Sequence, residues 1–551
     1  MATFNGGDGK DTIFGNNKTT DWGGRDDEMF GKGGNDALYG MRGDDRLFGG
    51  GGNDTLVGGD GNDDVFGDSG NDRMIYQRGD DTFNGGSGTD TLAFRSVIFA
   101  TGAFDVVTEA LEGPRSIGID YNVATGIVRN IGGERLGTLS LTSVEVLNFT
   151  SNDDIITNDD IGRTIQAVGG NDTVRGGAGA DIIDLGIGND VVDGGRGNDA
   201  MTGGFGTDEL SFASWNNVTV PTGSTFSTLI SLVSPFAGPG SASLVSVSGQ
   251  GIGSTLETDR LTGFENVTGT KFNDAISGTD GTNRLRGDKG DDVLSGKGGA
   301  DVLTGGEGND RISGGAGADR LDGNDNVDTL DYSLSGAGVR INLREGTASG
   351  GDAEGDRFSN FENITGSRNA DELTGDLRRN VIKGNGGSDT IDGHVGNDTI
   401  DGGDGRDFLI GNIGKDTLTG GSGIDDFIFK STADSRVGLA DTITDFLRGT
   451  DRIDLSAIDA ITGNVGNDNF TAFIPVVPPT RPGDVPAIPV TPGAGTLVLT
   501  ASSLDKDGDG IAESILNIVS GHVDADGQAD FELRVITSVE SGRLTGSDFL
   551  L

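Results

Sequence analysis

Cysteine is absent from the 551 residues, histidine occurs twice and proline only 11 times. The missing cysteine excludes a disulfide framework, a thiolate metal site and a cysteine nucleophile in any compartment. With His394 and His522 alone, no HExxH zinc site can form. Scarce proline excludes collagen. No run of about 18 apolar residues is available to cross a bilayer as a helix. The N-terminus, MATFNGGDGKDTIFG, has neither the basic region nor the apolar run of a cleaved export signal. Positive charge is also short: 40 Lys and Arg face 87 Asp and Glu, a net charge of −47. That balance argues against nucleic acid and anionic membranes as partners and in favour of cations.

What the chain has instead is 101 glycines, together with 33% apolar residues, too many for simple disorder. A nine-residue unit holds register from residue 22 to 93. Its sixth positions are Asp27, Asp36, Asp45, Asp54, Asp63, Asp72, Asp81 and Asp90, and its eighth positions Met29, Leu38, Leu47, Leu56, Val65, Met74, Phe83 and Leu92. A unit with Asp11 and Ile13 precedes them, offset by two residues. The frame returns over 167–211 with Asp172, Asp181, Asp190, Asp199 and Asp208. It returns over 269–331 with Asp274, Asn283, Asp292, Asp301, Asp310, Asp319 and Asp328, and over 366–428 with Asp371, Asn380, Asp389, Asp398, Asp407, Asp416 and Asp425. Both late runs place Asn in their second unit, a shared starting unit that lacks one ligand.

This GGxGxDxUx pattern resembles the calcium-binding repeats of RTX (repeats-in-toxin) proteins. The resemblance implies an all-β fold: parallel β-roll blocks in which each unit is a six-residue turn and a three-residue strand, and two units complete one coil. It further implies many Ca2+ ions as cofactor, held by the frame aspartates named above. Tight-turn chemistry alone does not require Asp at one fixed phase in all but two of the units.

Elementary energetics lead the same way. In a three-residue strand the eighth position points inward, and the seventh and ninth are expected to face solvent. In an 18-residue coil, Asp36, Asp54, Asp72 and Asp90 stack on one flank and Asp27, Asp45, Asp63 and Asp81 on the other. Carboxylates about 4.8 Å apart repel by roughly 3 kcal/mol per neighbour at an effective dielectric of 20. Ordering nine residues costs roughly 9 to 18 kcal/mol, against about 1.5 to 3 from one buried Leu or Val. A divalent ion held by carboxylates and turn carbonyls removes the repulsion and makes binding part of folding. Calcium suits backbone carbonyl ligands better than magnesium.

Three spacers, 94–166, 212–268 and 332–365, separate roll blocks at 1–93, 167–211, 269–331 and 366–428. They are poorer in Gly turns, and Val339, Ile341 and Leu343 show the strand period of two. Two of them end in Phe264-Glu265-Asn266 and Phe361-Glu362-Asn363, and 144–150 is a looser version. Asn266 and Asn363 match the NxT glycosylation pattern, but recurrence within a repeat favours a structural role. Beyond Asp425 the sequence FIFKSTADSRVGLADTITDFLRGTDRIDLSAIDA resembles the region that follows the roll in serralysin-type metalloproteases, so 429–551 is expected to cap the roll. Residues 473–493 hold seven of the prolines and read as an insertion or linker. The ending Asp548-Phe549-Leu550-Leu551 resembles the uncleaved signal of type I secretion substrates; a last strand tucked into the cap is compatible with it. Asp505, Asp507 and Asp509, in a DxDxDG loop, form one more calcium candidate, with Leu516 where an EF-hand has its Glu. Asp524, Asp526 and Asp530 echo it weakly.

Gly67-Asp68-Ser69-Gly70 spells a serine-protease motif but falls in register as the start of a repeat unit. The many acid pairs sit in calcium frames and give a glycosidase no independent support. Pore-forming RTX toxins carry a long apolar region ahead of their repeats, whereas here repeats begin at Gly6. The expectation is a non-catalytic, calcium-folding protein secreted by a Gram-negative-type bacterium, with the type I secretion apparatus as partner and a surface, matrix or adhesive role. Cell-surface polysaccharide or matrix is the expected target. Two other classes stay open: an RTX-carried lipase or polysaccharide-modifying enzyme, and a surface-layer or motility protein.

Overall fold

The computed structural model describes residues 2–15, 26–94, 119–130, 135–212, 226–231, 243–249, 257–458, 472–476, 496–504, 514–523, 528–538 and 542–551. The chain divides into two compact units, Met1–Thr279 and Asp280–Leu551. Both are all-β parallel β-rolls, and among the described residues no α-helix occurs.

In the first unit the strand register advances by 18 residues per coil. Arg46 pairs with Glu28 on one side and Asp64 on the other, and Leu56 pairs with Leu38 and Met74. Strands Asp27–Gly33, Arg46–Gly51, Asp64–Ser69 and Asp81–Asn84 stack on one wall, and Ala37–Arg42, Thr55–Asp60, Arg73–Ile75 and Thr91–Ala93 on the other. The first spacer does not interrupt this. Its strand Arg135–Thr142 stacks on Asp81–Asn84, and Val146–Asn148 on Thr91–Ala93, so the coils run on through it. The second spacer likewise returns Glu257–Thr262 onto Ala200–Thr202 and Asn266–Thr268 onto Glu209–Ser211.

The second unit repeats the plan. Strand Arg357–Ser359 stacks on Arg320–Asp325, and Asn363–Thr365 on Thr329–Asp331. An eight-stranded sheet runs from the hairpin Arg340–Asn342/Thr347–Ser349 through Glu372–Thr374, Thr390–Asp392, Phe408–Ile410, Asp426–Ile428 and Arg452–Asp454 to Phe549–Leu550. The terminal apolar pair is thus the last strand of that sheet. Beyond the roll, Thr496–Leu504, Ser514–His522 and Phe531–Ser538 form an antiparallel meander whose last strand lies parallel to Asp441–Ile443.

Eighth-position side chains make the core. Met29, Leu38, Leu47, Leu56, Val65, Met74 and Leu92 are fully buried, and those of the later runs are nearly so. The ninth position departs from expectation. Val57, Ile75 and Ala93 are buried and pack against Tyr39, while Phe30, Phe48 and Phe66 stack ring on ring with 4.9 Å between centroids. Identical positions in successive coils lie one strand spacing apart, which is also a good stacking distance, so an apolar row there covers itself.

The turns show why glycine is favoured at two positions. At the fourth position Gly52 has φ 124°, and a Cβ there would collide with the carbonyl oxygen of Gly34 in the preceding coil. At the second position φ is also positive, yet Lys32 (78°), Met41 (82°) and Asp68 (70°) occupy it. Coils approach as closely at the second position, where a Cβ on Gly59 would lie 2.1 Å from the Met41 carbonyl oxygen, and Asn326 (86°) shows that the fourth position also admits another residue.

Candidate metal-binding ladders

All the frame aspartates but Asp11 are buried, and those in the rows traced here share one first bond. One carboxylate oxygen accepts the main-chain N–H of the ladder residue one coil earlier, as in Asp36 N–H to Asp54 Oδ1 at 2.7 Å and Asp45 N–H to Asp63 Oδ1 at 2.8 Å. These bonds string the predicted residues into ladders. In the first unit one runs Asp27, Asp45, Asp63, Asp81, and another Asp11, Asp36, Asp54, Asp72, Asp90. Two more run Asp154, Asp172, Asp190, Asp208 and Arg163, Asp181, Asp199, Asp259. In the second unit they run Asn283, Asp301, Asp319, Asp356 and Asp292, Asp310, Asp328. They continue as Asp371, Asp389, Asp407, Asp425, Asp451 and Asn380, Asp398, Asp416, Asp441.

The second oxygen, Oδ2, is what marks these sites. In Asp36, Asp45, Asp54, Asp63, Asp72, Asp172, Asp181, Asp190, Asp301, Asp310, Asp319, Asp389, Asp398, Asp407 and Asp416 it is buried and has no hydrogen-bond partner. Leaving a buried carboxylate oxygen unsatisfied is costly unless a cation meets it. The neighbourhood is built for one. A Cβ placed on Gly49 would lie 2.5 Å from Asp54 Oδ2 and 2.8 Å from the Gly67 carbonyl oxygen, so glycine keeps open a gap lined by oxygens of two successive turns. Among the described residues no three His, Cys, Asp or Glu side chains converge on one point, and the oxygens that line the gap beside the carboxylate are main-chain carbonyls. A flexible shell of carbonyl and carboxylate oxygens fits calcium.

Burial, opposed by the backbone hydrogen bond and reinforced by neighbouring aspartates, pushes the ladder carboxyls up. Asp45, Asp81 and Asp172 rise to about 8, and Asp63, Asp72, Asp181, Asp398 and Asp416 to about 7. Asp441 rises to about 9. A row of carboxyls that resists ionising is a row in want of a counter-cation.

Some predicted ligands differ. In Asp11, Asp274 and Asp371 the second oxygen is already met by the N–H four residues earlier, from Gly7, Thr270 and Ser367. Asp154 and Asp451 do the same with Thr150 and Leu447. Asn380, the expected missing ligand, turns its amide to the Glu362 carbonyl oxygen at 2.7 Å. Asp505, Asp507 and Asp509, like Asp524 and Asp526, lie outside the described residues. Ser69 Oγ donates to the Gly50 carbonyl at 3.1 Å, a bond between turns.

Sequence reading missed the ladder acids Asp154, Asp259, Asp356, Asp441 and Asp451. Each carries an Asp-x-apolar signal, as in Asp154-Ile155-Ile156 and Asp441-Thr442-Ile443, without the full GGxGx turn that made the other units visible.

Fold and ladders together define a parallel β-roll whose turns carry rows of buried carboxylates suited to calcium. Consistent with this, the family model described as the RTX calcium-binding nonapeptide repeat (4 copies) matches over 3–17, 23–92, 164–210 and 268–330. The Peptidase M10 serralysin C terminal model matches 320–473. The chain thus carries RTX hemolysin-type calcium-binding repeats and a serralysin-like C-terminal region, and the second match reaches back across the fourth repeat run. It is the C-terminal part of the serralysin architecture that matches, not the catalytic part. Repeats and C-terminal region together point to a secreted protein. No curated protein matches the chain. Among the described residues no helix is long and apolar enough to cross a membrane.

Proposed function

We propose that the chain is a non-catalytic calcium-dependent scaffold that leaves a Gram-negative-type bacterium unfolded through a type I apparatus and folds outside it. Its role is at the cell surface or in a matrix, against polysaccharide. The observation that carries this reading is the rows of buried, partnerless Asp Oδ2 atoms at successive turns. The frame aspartates with such an oxygen hold the ions, one between each pair of stacked turns. Extracellular calcium modules bind at roughly 10⁻⁴ to 10⁻³ M, so the gaps stay empty in the cytosol and fill outside. The serralysin-like C-terminal region supports the export route. Circular dichroism in chelator and in millimolar calcium tests the proposal. The β signal should be largely absent in chelator and appear cooperatively with calcium, and equal signal in both would overturn it.

A further inference from the structure

The three spacers return to the roll through one shared device, and it lies outside the glycine-rich consensus. Glu145, Glu265 and Glu362 each stand nine residues before Asp154, Asp274 and Asp371, and so occupy a sixth position. Each takes the ladder place of an aspartate. Asp90 N–H donates to Glu145 Oε2, Asp208 N–H to Glu265 Oε2 and Asp328 N–H to Glu362 Oε2, all at 2.9 Å. Two residues before each Glu the backbone is at positive φ, at Ser143 (53°), Gly263 (73°) and Asn360 (59°). The carbonyl oxygens of those three residues crowd the place where a Cβ would sit on Gly85, Gly203 and Gly323, beside Oδ2 of Asp90, Asp208 and Asp328. This is the same oxygen-lined gap found at Gly49 within the repeats. Asp90, Asp208 and Asp328 are at most 1% exposed, and their Oδ2 atoms have no partner.

The geometry points to three further divalent-ion sites, Asp90/Glu145, Asp208/Glu265 and Asp328/Glu362, each of which pins a spacer to the roll. The inference rests on the reading that interior gaps hold calcium. The paired acids lie 55, 57 and 34 residues apart in the chain, so each ion closes a long loop. On the far side of the Glu rung the ladder carries its own donor. Arg163 Nε binds the Val144 carbonyl oxygen at 3.1 Å, and Asn380 binds that of Glu362. An ion is needed before the Glu and is replaced after it. Arg378 already pairs with Glu362, which makes the third site the weakest of the three.

The test uses the full chain and calcium chloride. Bound calcium per molecule is measured by equilibrium dialysis at the lowest concentration that saturates the wild type, for Glu145→Gln, Glu265→Gln and Glu362→Gln separately. Glutamine keeps an oxygen to accept the aspartate N–H, so the ladder bond survives while the charge goes. Each variant should lose one ion. Glu145→Gln should also become susceptible to protease within 119–130 and 135–142 at a calcium concentration that protects the wild type. Glu345→Gln, an exposed neutralisation within the third spacer, should lose none. Variants that bind the wild-type number of ions overturn the junction sites and leave the interior ladder standing. A wild type that takes up no calcium overturns the parent reading and the junction sites with it.

Discussion

At Asp63 and at Asp371 the carboxylate makes the same first bond, to the main chain of a neighbouring coil, and the two differ chiefly in what meets the second oxygen. At Asp63 nothing does. At Asp371 the Ser367 N–H meets Oδ2 at 2.6 Å, while Val339 N–H and Ser367 Oγ share Oδ1 at 2.7 and 2.9 Å. The local cause is the second position of the turn. Interior turns put it at positive φ, as at Gly59 (117°), which directs its N–H elsewhere; Thr150, Thr270 and Ser367 are not in that region. A β-branched Thr is poorly tolerated at positive φ. The satisfied rungs, at the starts of runs and at Asp451 at the end of the last one, are therefore complete without metal, and interior rungs are not. Under the proposed function the expected consequence is ordered assembly, with starting rungs as a metal-independent edge for ion-dependent coils, as in other one-dimensional repeat proteins.

The largest effect that would break this comparison is with pH. Interior carboxyls are held above their unfolded value of 3.8, to about 7 at Asp63 and about 8 at Asp45 and Asp81, chiefly by burial. A raised folded pKa means that the metal-free roll binds protons more tightly than the unfolded chain does. Its contribution to stability is complete below about pH 4 and is lost as pH rises through 7 to 8. In chelator, β signal should grow on acidification from pH 8 to 5. In calcium the proton is a competitor, so the midpoint calcium concentration should rise over the same interval. Metal-free protein that loses structure on acidification over that range would show that the ladder carboxyls are not the destabilising element.

Next in size is the exchange of charge at single rungs. Asp63→Asn keeps the acceptor for Asp45 N–H and removes a carboxylate that repels its neighbours. Metal-free stability should rise slightly, while calcium uptake falls by at least one ion. Asp371→Asn should do the reverse: its new NH2 faces the Ser367 N–H, costing about 1 to 3 kcal/mol with or without calcium, and the ion count stays unchanged. Chemical denaturation in chelator and in calcium, with dialysis for the ion count, separates the two. If both variants respond alike, starting and interior rungs are one class.

The frame, the 18-residue stacking and the eighth-position core were legible because in a roll each repeats at a fixed phase, and periodic side chains are the strongest signal a sequence carries. The Phe-Glu-Asn recurrence was visible as a motif, but its membership of the frame was not. Glu265 stands where Asp is expected, and Phe264 precedes it in a consensus that wants a turn residue. Asp259 and Asp356 were hidden for another reason. Their ladder partners Asp199 and Asp319 lie 60 and 37 residues away, so no 18-residue period leads to them. The half-buried aromatic row of Phe30, Phe48 and Phe66 also escaped, since alternation within one strand says nothing about what the next coil lays over it.

The smallest expected effect probes the starting rung from its donor side. Ser367 Oγ gives Asp371 Oδ1 a buried hydrogen bond, and the same oxygen receives Asn369 N–H at 3.0 Å. Interior turns have no counterpart, because Gly59 stands at the position equivalent to Ser367. Ser367→Ala leaves the main-chain bond to Oδ2 in place and removes only the hydroxyl. The loss should be about 1 kcal/mol, equal in chelator and in calcium if the already satisfied carboxylate takes no ion. A loss present only in calcium would mean that Asp371 binds metal after all, and the division between the two kinds of rung would have to be redrawn one coil earlier.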